Sequence, residues 1–199
     1  MNTWLFDLGN TRLKCAPLHA DGSIGETLAI AHDDGADWPE ALPSGVVACI
    51  ASVASDARRA ALFDALCTRF TRLHRARTER ALGPLSIAYE NPAHLGGDRF
   101  LAMLGQCGTG PVLVVGVGTA VTIDLLDADG RHRGGRIAPS PALMREALHT
   151  RAPALPFEGG VRVAFASDTV DALAPGCGGA ALALITGGLA AGRGRLGLA

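Results

Sequence analysis

An excess of either charge is missing from this chain. Its 199 residues include 18 basic and 19 acidic side chains, for a net charge of −1. A nucleic-acid tract or a patch for acidic membranes needs an excess of Lys and Arg, so neither partner is expected. Arg69, Arg72, Arg75, Arg77 and Arg80 approach a cluster, but Glu79 and their helix-like spacing read as a solvated face. Paired cysteines are missing too. Cys15, Cys49, Cys67, Cys107 and Cys177 are odd in number, and no two stand at CxxC or metal-ligand spacing. They read as reduced, mostly buried thiols of a cytoplasmic protein. The six histidines have no zinc-ligand spacing, and no Ser or Cys nucleophile pattern accompanies them. Surface or structural roles are expected for them, with His94 set apart because it precedes a polar glycine-rich turn. No signal-peptide pattern opens the chain, which starts with a strand-like run carrying Asp7. The run Cys107–Ile123 falls short of the ~20 residues that span a membrane, and Gly, Pro and Thr break it. A buried strand pair explains that run better.

What is present is a globular composition, with 48% hydrophobic and 19% charged residues. The length suits one domain or two small ones. Strands are expected at Thr3–Leu8, Arg12–Leu18, Thr27–Ala31, Val46–Val53 and Leu73–Arg77. Gly9-Asn10 reads as a hairpin turn that uses positive φ. Ser55 reads as the N-cap of a helix reaching about Phe70, with Leu62, Phe63, Leu66 and Phe70 on a 3–4 spacing. A helix around Asp98–Gln106 follows. Then come strands at Val112–Val115, Ala120–Leu126 and Arg131–Ala138, with turns at Gly116–Gly118 and Asp129-Gly130. Helices are expected at Pro139–Leu148 and Asp168–Leu184, the second kinked or split at Pro175-Gly176. Helix is expected to continue from Gly178, weakened by later glycines at about 1 kcal/mol each. Trp4 and Trp38 read as packing residues. Each half opens with three strands and passes to helices. This suggests two similar α/β lobes, residues 1–92 and 93–199, with a nucleotide cleft between them.

Three segments carry chemistry. In Asp7-Leu8-Gly9-Asn10-Thr11-Arg12-Leu13-Lys14 an Asp ends a strand, a tight turn follows, and Thr and Lys open the next strand. Turn amides, a hydroxyl and an ammonium can surround phosphate oxygens. The Asp can hold Mg²⁺ through water. A polar-tipped hairpin is the plainer alternative. In Gly96-Gly97-Asp98-Arg99 an Asp beside an Arg opens a helix. The pair can be a cap and surface ion pair, or a base with an anion clamp. In Gly116-Val117-Gly118-Thr119-Ala120-Val121-Thr122-Ile123-Asp124 a Rossmann reading fails. Val121 replaces the third glycine, and a strand follows where a helix is required. A Walker A pattern is absent. What remains is a second strand-turn-strand with Thr at the turn.

The order DLGNTRLK, YENPAHLGGDR, GTAVTID and GGRIAPS, from about Thr3 to Gly179, resembles the type III pantothenate kinases. These belong to the actin/Hsp70/sugar-kinase superfamily. The resemblance implies an α/β protein of two actin-like (ribonuclease H-like) lobes, with mixed sheets flanked by helices. It implies ATP-dependent phosphorylation of pantothenate to 4′-phosphopantothenate, the first step of coenzyme A synthesis, with Mg²⁺ and a homodimer. Asp7 to Lys14 would form the first phosphate loop, and Thr119 would belong to the second. Asp98 would be the general base on the pantothenate hydroxyl. Tyr89, Gly96, Gly97, Arg99 and Thr169 would line the pantothenate site.

Two features depart from the family pattern. Many members have an Asp at the position of Gly116 that helps bind potassium or ammonium. Here that ligand is missing, and Asp124 lies too far along its strand to replace it. Members also usually continue with a further strand-and-helix section near the adenosine, so a second lobe shortened at its C-terminus is expected. Two other readings stand beside the first. One is a kinase of the same superfamily for another small hydroxylated substrate. The other is a non-catalytic or regulatory accessory relative that keeps the fold.

Overall fold

A computed structural model describes residues 2–32 and 41–197. Trp38 lies outside them. The chain divides into two compact units, Met1–Glu79 with Ala93–Leu101, and Arg80–Pro92 with Ala102–Ala199. Residues 92 and 93 mark one of three places where the chain passes from one unit to the other.

The first unit is built on a five-stranded sheet. Its strands are β1 (Thr3–Leu8), β2 (Arg12–Leu18), β3 (Leu28–Ala31), β4 (Gly45–Ser52) and β5 (Phe70–Arg75), in the order β3-β2-β1-β4-β5. β1 runs antiparallel to β2 and parallel to β4. Helix α1 (Asp56–Cys67) provides the crossover from β4 to β5, which pair in parallel. Period-two alternation turns Phe6, Leu8, Leu13, Cys15, Ala48 and Ile50 inward, where Leu62 and Leu66 of α1 join them. Phe6 and Phe70 meet edge to face at 5.6 Å. Ser55 caps α1, its side chain accepting from the Arg58 amide.

Two expectations are corrected here. Gly9 and Asn10 form the β1–β2 turn without positive φ. Gly9 is needed for space instead, since a Cβ there would stand 3.3 Å from the Arg12 carbonyl oxygen. The arginine run is not helical: Arg72 and Arg75 lie on β5, at the edge of the sheet, and are exposed. Charges on an edge strand discourage pairing with other chains.

The second unit begins with the short hairpin β6 (Ala81–Leu82) and β7 (Leu85–Ser86). A 3₁₀ turn at Pro92–His94 leads to α2 (Gly97–Leu104), in which the chain passes from the first unit to the second. β8 (Val112–Val117), β9 (Ala120–Leu126) and β10 (His132–Pro139) form a sheet in the order β10-β9-β8, antiparallel throughout. β8 runs further than expected, to Val117, and Gly118 and Thr119 separate it from β9, while the last pair, Val117 with Val121, encloses three residues. Helix α3 (Pro141–Arg151) starts on Ser140, with Pro141 in its first turn.

Helix α4 (Thr169–Leu196) is continuous through Pro175, so the chain does not split there, and it runs on past Leu184 as expected of the stretch from Gly178. Pro175 sits in the second turn, where it removes one backbone bond from a 28-residue helix whose flank packs on a sheet. That packing uses small residues. A Cβ on Gly188 would stand 3.5 Å from Ile123, and one on Gly192 would stand 3.0 Å from Leu125. Residues 172–192 carry no charge. By length and composition α4 is able to cross a membrane, and in this structure it lies on β8 and β9.

Candidate active site

In the first unit the tip of the β1–β2 hairpin carries the charged groups. Antiparallel register sets Asp7 opposite Lys14, with the ammonium 3.9 Å from the carboxylate and both side chains half exposed. Three consecutive carbonyls of the turn are held by outside donors. His32 Nε2 lies 3.0 Å from the Gly9 oxygen, Arg58 Nη1 donates to the Asn10 oxygen at 2.5 Å, and the His32 amide donates to the Thr11 oxygen at 3.1 Å. This fixes the peptide planes and adds a guanidinium beside the turn. Asn10, Thr11 and Arg12 are exposed. Leu8 and Leu13, expected as part of the phosphate loop, have 1% exposure and face the core. From these two positions only main-chain atoms can reach a ligand.

The Gly96–Arg99 segment adds a second carboxylate to the same unit. Its entry is anchored by Thr78, which donates to the Leu95 oxygen at 2.9 Å. Buried Leu95, Phe100 and Met103 fix α2 behind it. Asp98 lies in the first turn of α2 and is exposed. Its side chain folds back over Gly96, where a Cβ would stand 2.5 Å from Oδ1 and 3.7 Å from Val53. Val53 follows β4, and its amide bonds the Leu8 oxygen at the end of β1. Asp98 is thus near the carboxyl ends of two parallel strands, where open α/β sheets bind ligands. The Asp7 carboxyl is raised above the usual carboxylate range, first by burial. Lys14 opposes that rise, and the negative charge of Asp98 adds to it. Arg99 is buried, with 6% exposure. An open cavity of about 570 Å³ also lies along one face of this sheet, with Asp7 and Lys14 among its lining residues.

The remaining expected site residues belong to the second unit. Thr119 is exposed at the β8–β9 turn, where its oxygen accepts from the Ser140 amide at 3.3 Å. Thr169 is exposed at the first position of α4, next to Asp168, whose side chain caps the helix through the Asp171 amide. Tyr89 is half buried and stacks on His132, with ring centroids 5.9 Å apart and planes at 11°. At Gly116 a Cβ would meet Thr122 Oγ1 at 2.7 Å, so the position is filled by its cross-strand neighbour.

Sequence reading missed the partner of that tyrosine. His132 and Asp124 are 3% and 2% exposed, and Nε2 lies 3.0 Å from the Asp124 carboxylate. Arg58 and His32 also carried no motif, because they act by reaching back to main-chain oxygens. The cysteines are all free, but Cys67 is exposed and only Cys15 and Cys177 are buried, so the expectation of mostly buried thiols is corrected.

The fold is an α/β one of mixed sheets and helices that solved structures share. It is similar to a solved structure described as a conserved putative Baf family transcriptional activator from Campylobacter jejuni. That match has a TM-score of 0.63 at 23% identity, covering 93% of this chain and 78% of the other. It is also similar to a putative 2-dehydro-3-deoxygalactonokinase from Sinorhizobium meliloti, with a TM-score of 0.54 at 15% identity over 94% of this chain and 82% of the other. Both concern the fold alone. Sequence goes further: the family model for type III pantothenate kinase matches residues 4–191. The type III pantothenate kinase of Stenotrophomonas maltophilia strain K279a is 54% identical over 93% of this chain and 77% of its own length. That of Xanthomonas campestris pv. campestris strain B100 is also 54% identical, with the same coverage. The chain belongs to the type III pantothenate kinase family.

Proposed function

We propose that this chain transfers the γ-phosphoryl group of ATP to the primary hydroxyl of pantothenate, with Asp98 as the general base. The family match across residues 4–191 carries the reaction. The assignment of Asp98 is supported by its place beside Asp7 at the strand ends of the first unit. The pantothenate oxygen attacks the γ-phosphorus as the bond to the β-phosphate oxygen breaks and ADP leaves. The hydroxyl proton passes to the Asp98 carboxylate. Lys14, the hairpin amides and the nearby Arg58 offset charge that develops on the phosphate oxygens. Tyr89, Gly96, Gly97, Arg99 and Thr169 serve pantothenate, and Thr119 serves the phosphates.

Mg²⁺ fits the residues present in a limited way. Among the described residues no group of three or more His, Cys, Asp or Glu side chains is placed to enclose a metal ion. Mg²⁺ with a nucleotide needs only one or two carboxylates, its other ligands being phosphate oxygens and water. Asp7, raised by burial and by Asp98, is a carboxylate that a cation would favour. The ion would supply charge neutralisation on the phosphates. The residues do not fit a potassium or ammonium site of the usual family kind, because Gly116 supplies no side-chain carboxylate and Thr122 Oγ1 lies 2.7 Å from where its Cβ would stand. A homodimer is supported by the exposed Leu182 and Leu189 on α4, and a cytoplasmic location by five free thiols.

Asp98→Asn tests the central assignment. Steady-state assays are expected to show kcat down by about 10²–10⁴-fold, while calorimetry shows ATP binding retained. Turnover near that of the wild type would remove Asp98 from the role of base.

A further inference from the structure

The second unit contains a buried polar pair that the phosphoryl transfer does not use. Asp124 is on β9 and His132 is the first residue of β10. From Gly135 to Pro139 the two strands keep one register, with Gly135 opposite Asp124. That register, continued, would set His132 opposite Asp127, on the other face of the sheet. A bulge between His132 and Gly135 shifts it by one residue, so His132 stands opposite Leu126. Leu126 and Asp124 are two apart and share a face, so the shift brings the imidazole onto the face of the carboxylate. Gly134, at φ +110°, makes the bulge.

On that face His132 has a polar neighbour on each side of its ring. Nδ1 accepts from the Ala88 amide at 3.4 Å. The ring proton therefore sits on Nε2, facing the Asp124 carboxylate at 3.0 Å. The next residue, Tyr89, lays its ring over the imidazole. One histidine thus fixes the main chain at Ala88 and the ring plane at Tyr89, and Asp124 fixes that histidine.

From this we infer that Asp124 and His132 are positioning residues for pantothenate recognition: they hold the Ala88–Tyr89 segment so that Tyr89 presents one ring orientation to the substrate. This rests on the reading that Tyr89 contacts pantothenate. A buried carboxylate–imidazole pair is costly to desolvate unless its hydrogen bonds are met. Here the imidazole of the pair stacks on the only tyrosine in the chain.

The test is steady-state kinetics on the full chain, comparing wild type, Tyr89→Ala, His132→Phe, Asp124→Asn and the double variant Tyr89→Ala/His132→Phe. His132→Phe keeps a ring under Tyr89 but cannot accept from Ala88. Each single change is expected to raise KM for pantothenate about 5- to 20-fold, with kcat and KM for ATP within about twofold. The double variant is expected to be no worse than Tyr89→Ala alone, since both act through one ring. Multiplying effects, or equal rises in both KM values, would overturn the inference. If Tyr89→Ala acts on KM for pantothenate and His132→Phe does not, the inference fails and the reading of Tyr89 stands. If Tyr89→Ala has no effect, both fail. Should the buried variants not fold, ¹⁵N NMR of the wild-type histidine side chains decides. Nε2–H on His132, with its ring signals shifted by pantothenate alone, supports the inference. An Nδ1–H tautomer, or no shift at saturating pantothenate, overturns it.

Discussion

The two units each present a strand-turn-strand hairpin, β1–β2 in the first and β8–β9 in the second, and the two share that plan but differ in turn length and in charge. In the first, Gly9 donates to the Arg12 oxygen at 3.1 Å, and in the second Gly118 donates to the Ala120 oxygen at 3.0 Å. Two residues before the glycine stands Asp7 in one hairpin and Gly116 in the other. Their cross-strand partners are Lys14 and Thr122. The first turn is gripped by Arg58 and His32, whereas the second is tied to the Ser140 amide that also starts α3. A shared strand-turn-strand plan is thus compatible with different work. The first hairpin concentrates ions where a polyphosphate and its cation need them, and the second offers a neutral turn with one hydroxyl.

If that division is right, removing charge from the first hairpin should cost far more activity than any change at the second. Lys14→Ala is expected to raise KM for ATP about tenfold or more and to lower kcat, since an ammonium near the phosphates is lost. Arg58→Ala should raise KM for ATP about fivefold with KM for pantothenate unchanged, and Arg58→Lys should recover part of the loss. Equal effects on both substrates would mean that Arg58 only stabilises the fold.

At the second hairpin the effects should fall on stability. Gly116→Ala forces a methyl against Thr122 Oγ1, which stands 2.7 Å from the added Cβ. Melting is expected to drop by about 2–4 °C, for a strain of about 1 kcal/mol. In a Thr122→Ala background the drop should vanish. If it persists, the contact is not its cause.

The smallest effect concerns Asp7. Its carboxyl is raised, burial being the first cause. The folded state therefore holds the proton more tightly than the unfolded chain does. The corresponding stability is complete below the unfolded-state pKa and is lost as pH rises through the folded one. At pH 7 the ionised group is a liability. Asp7→Asn is expected to raise the melting temperature at pH 7 by no more than about 2 °C, with the gain shrinking towards acidic pH, while activity falls. A lower melting temperature at pH 7 would show that the Lys14 pair outweighs burial.

Much of this was legible in the residues because it is local. Alternation marked β1 and β2, Ser55 and Asp168 marked helix starts, and the order of four short motifs marked the family. Local rules misled where packing decides. Pro175 promised a break, yet α4 continues because its small residues lie against Ile123 and Leu125. The helix-like spacing of the arginines misled as well: Arg72 and Arg75 sit on the edge strand β5, which pairs with β4 and starts at Phe70, ahead of the strand expected from Leu73. The Asp124–His132–Tyr89 arrangement was invisible for a clearer reason. It depends on a one-residue register shift between strands, and a shift of one residue exchanges faces without altering any local pattern. Arg58 and His32 reach main-chain oxygens from 48 and 23 residues away in sequence. No motif records such contacts.

The most direct measurement is mass detection of 4′-phosphopantothenate, with ADP release followed in parallel, from purified chain given ATP and Mg²⁺ with and without pantothenate. A pantothenate kinase of this kind forms product and ADP in equal amounts only when pantothenate is present, with little difference between potassium and sodium salts. A folded protein that binds ATP yet forms no phosphopantothenate at high concentration would contradict that activity.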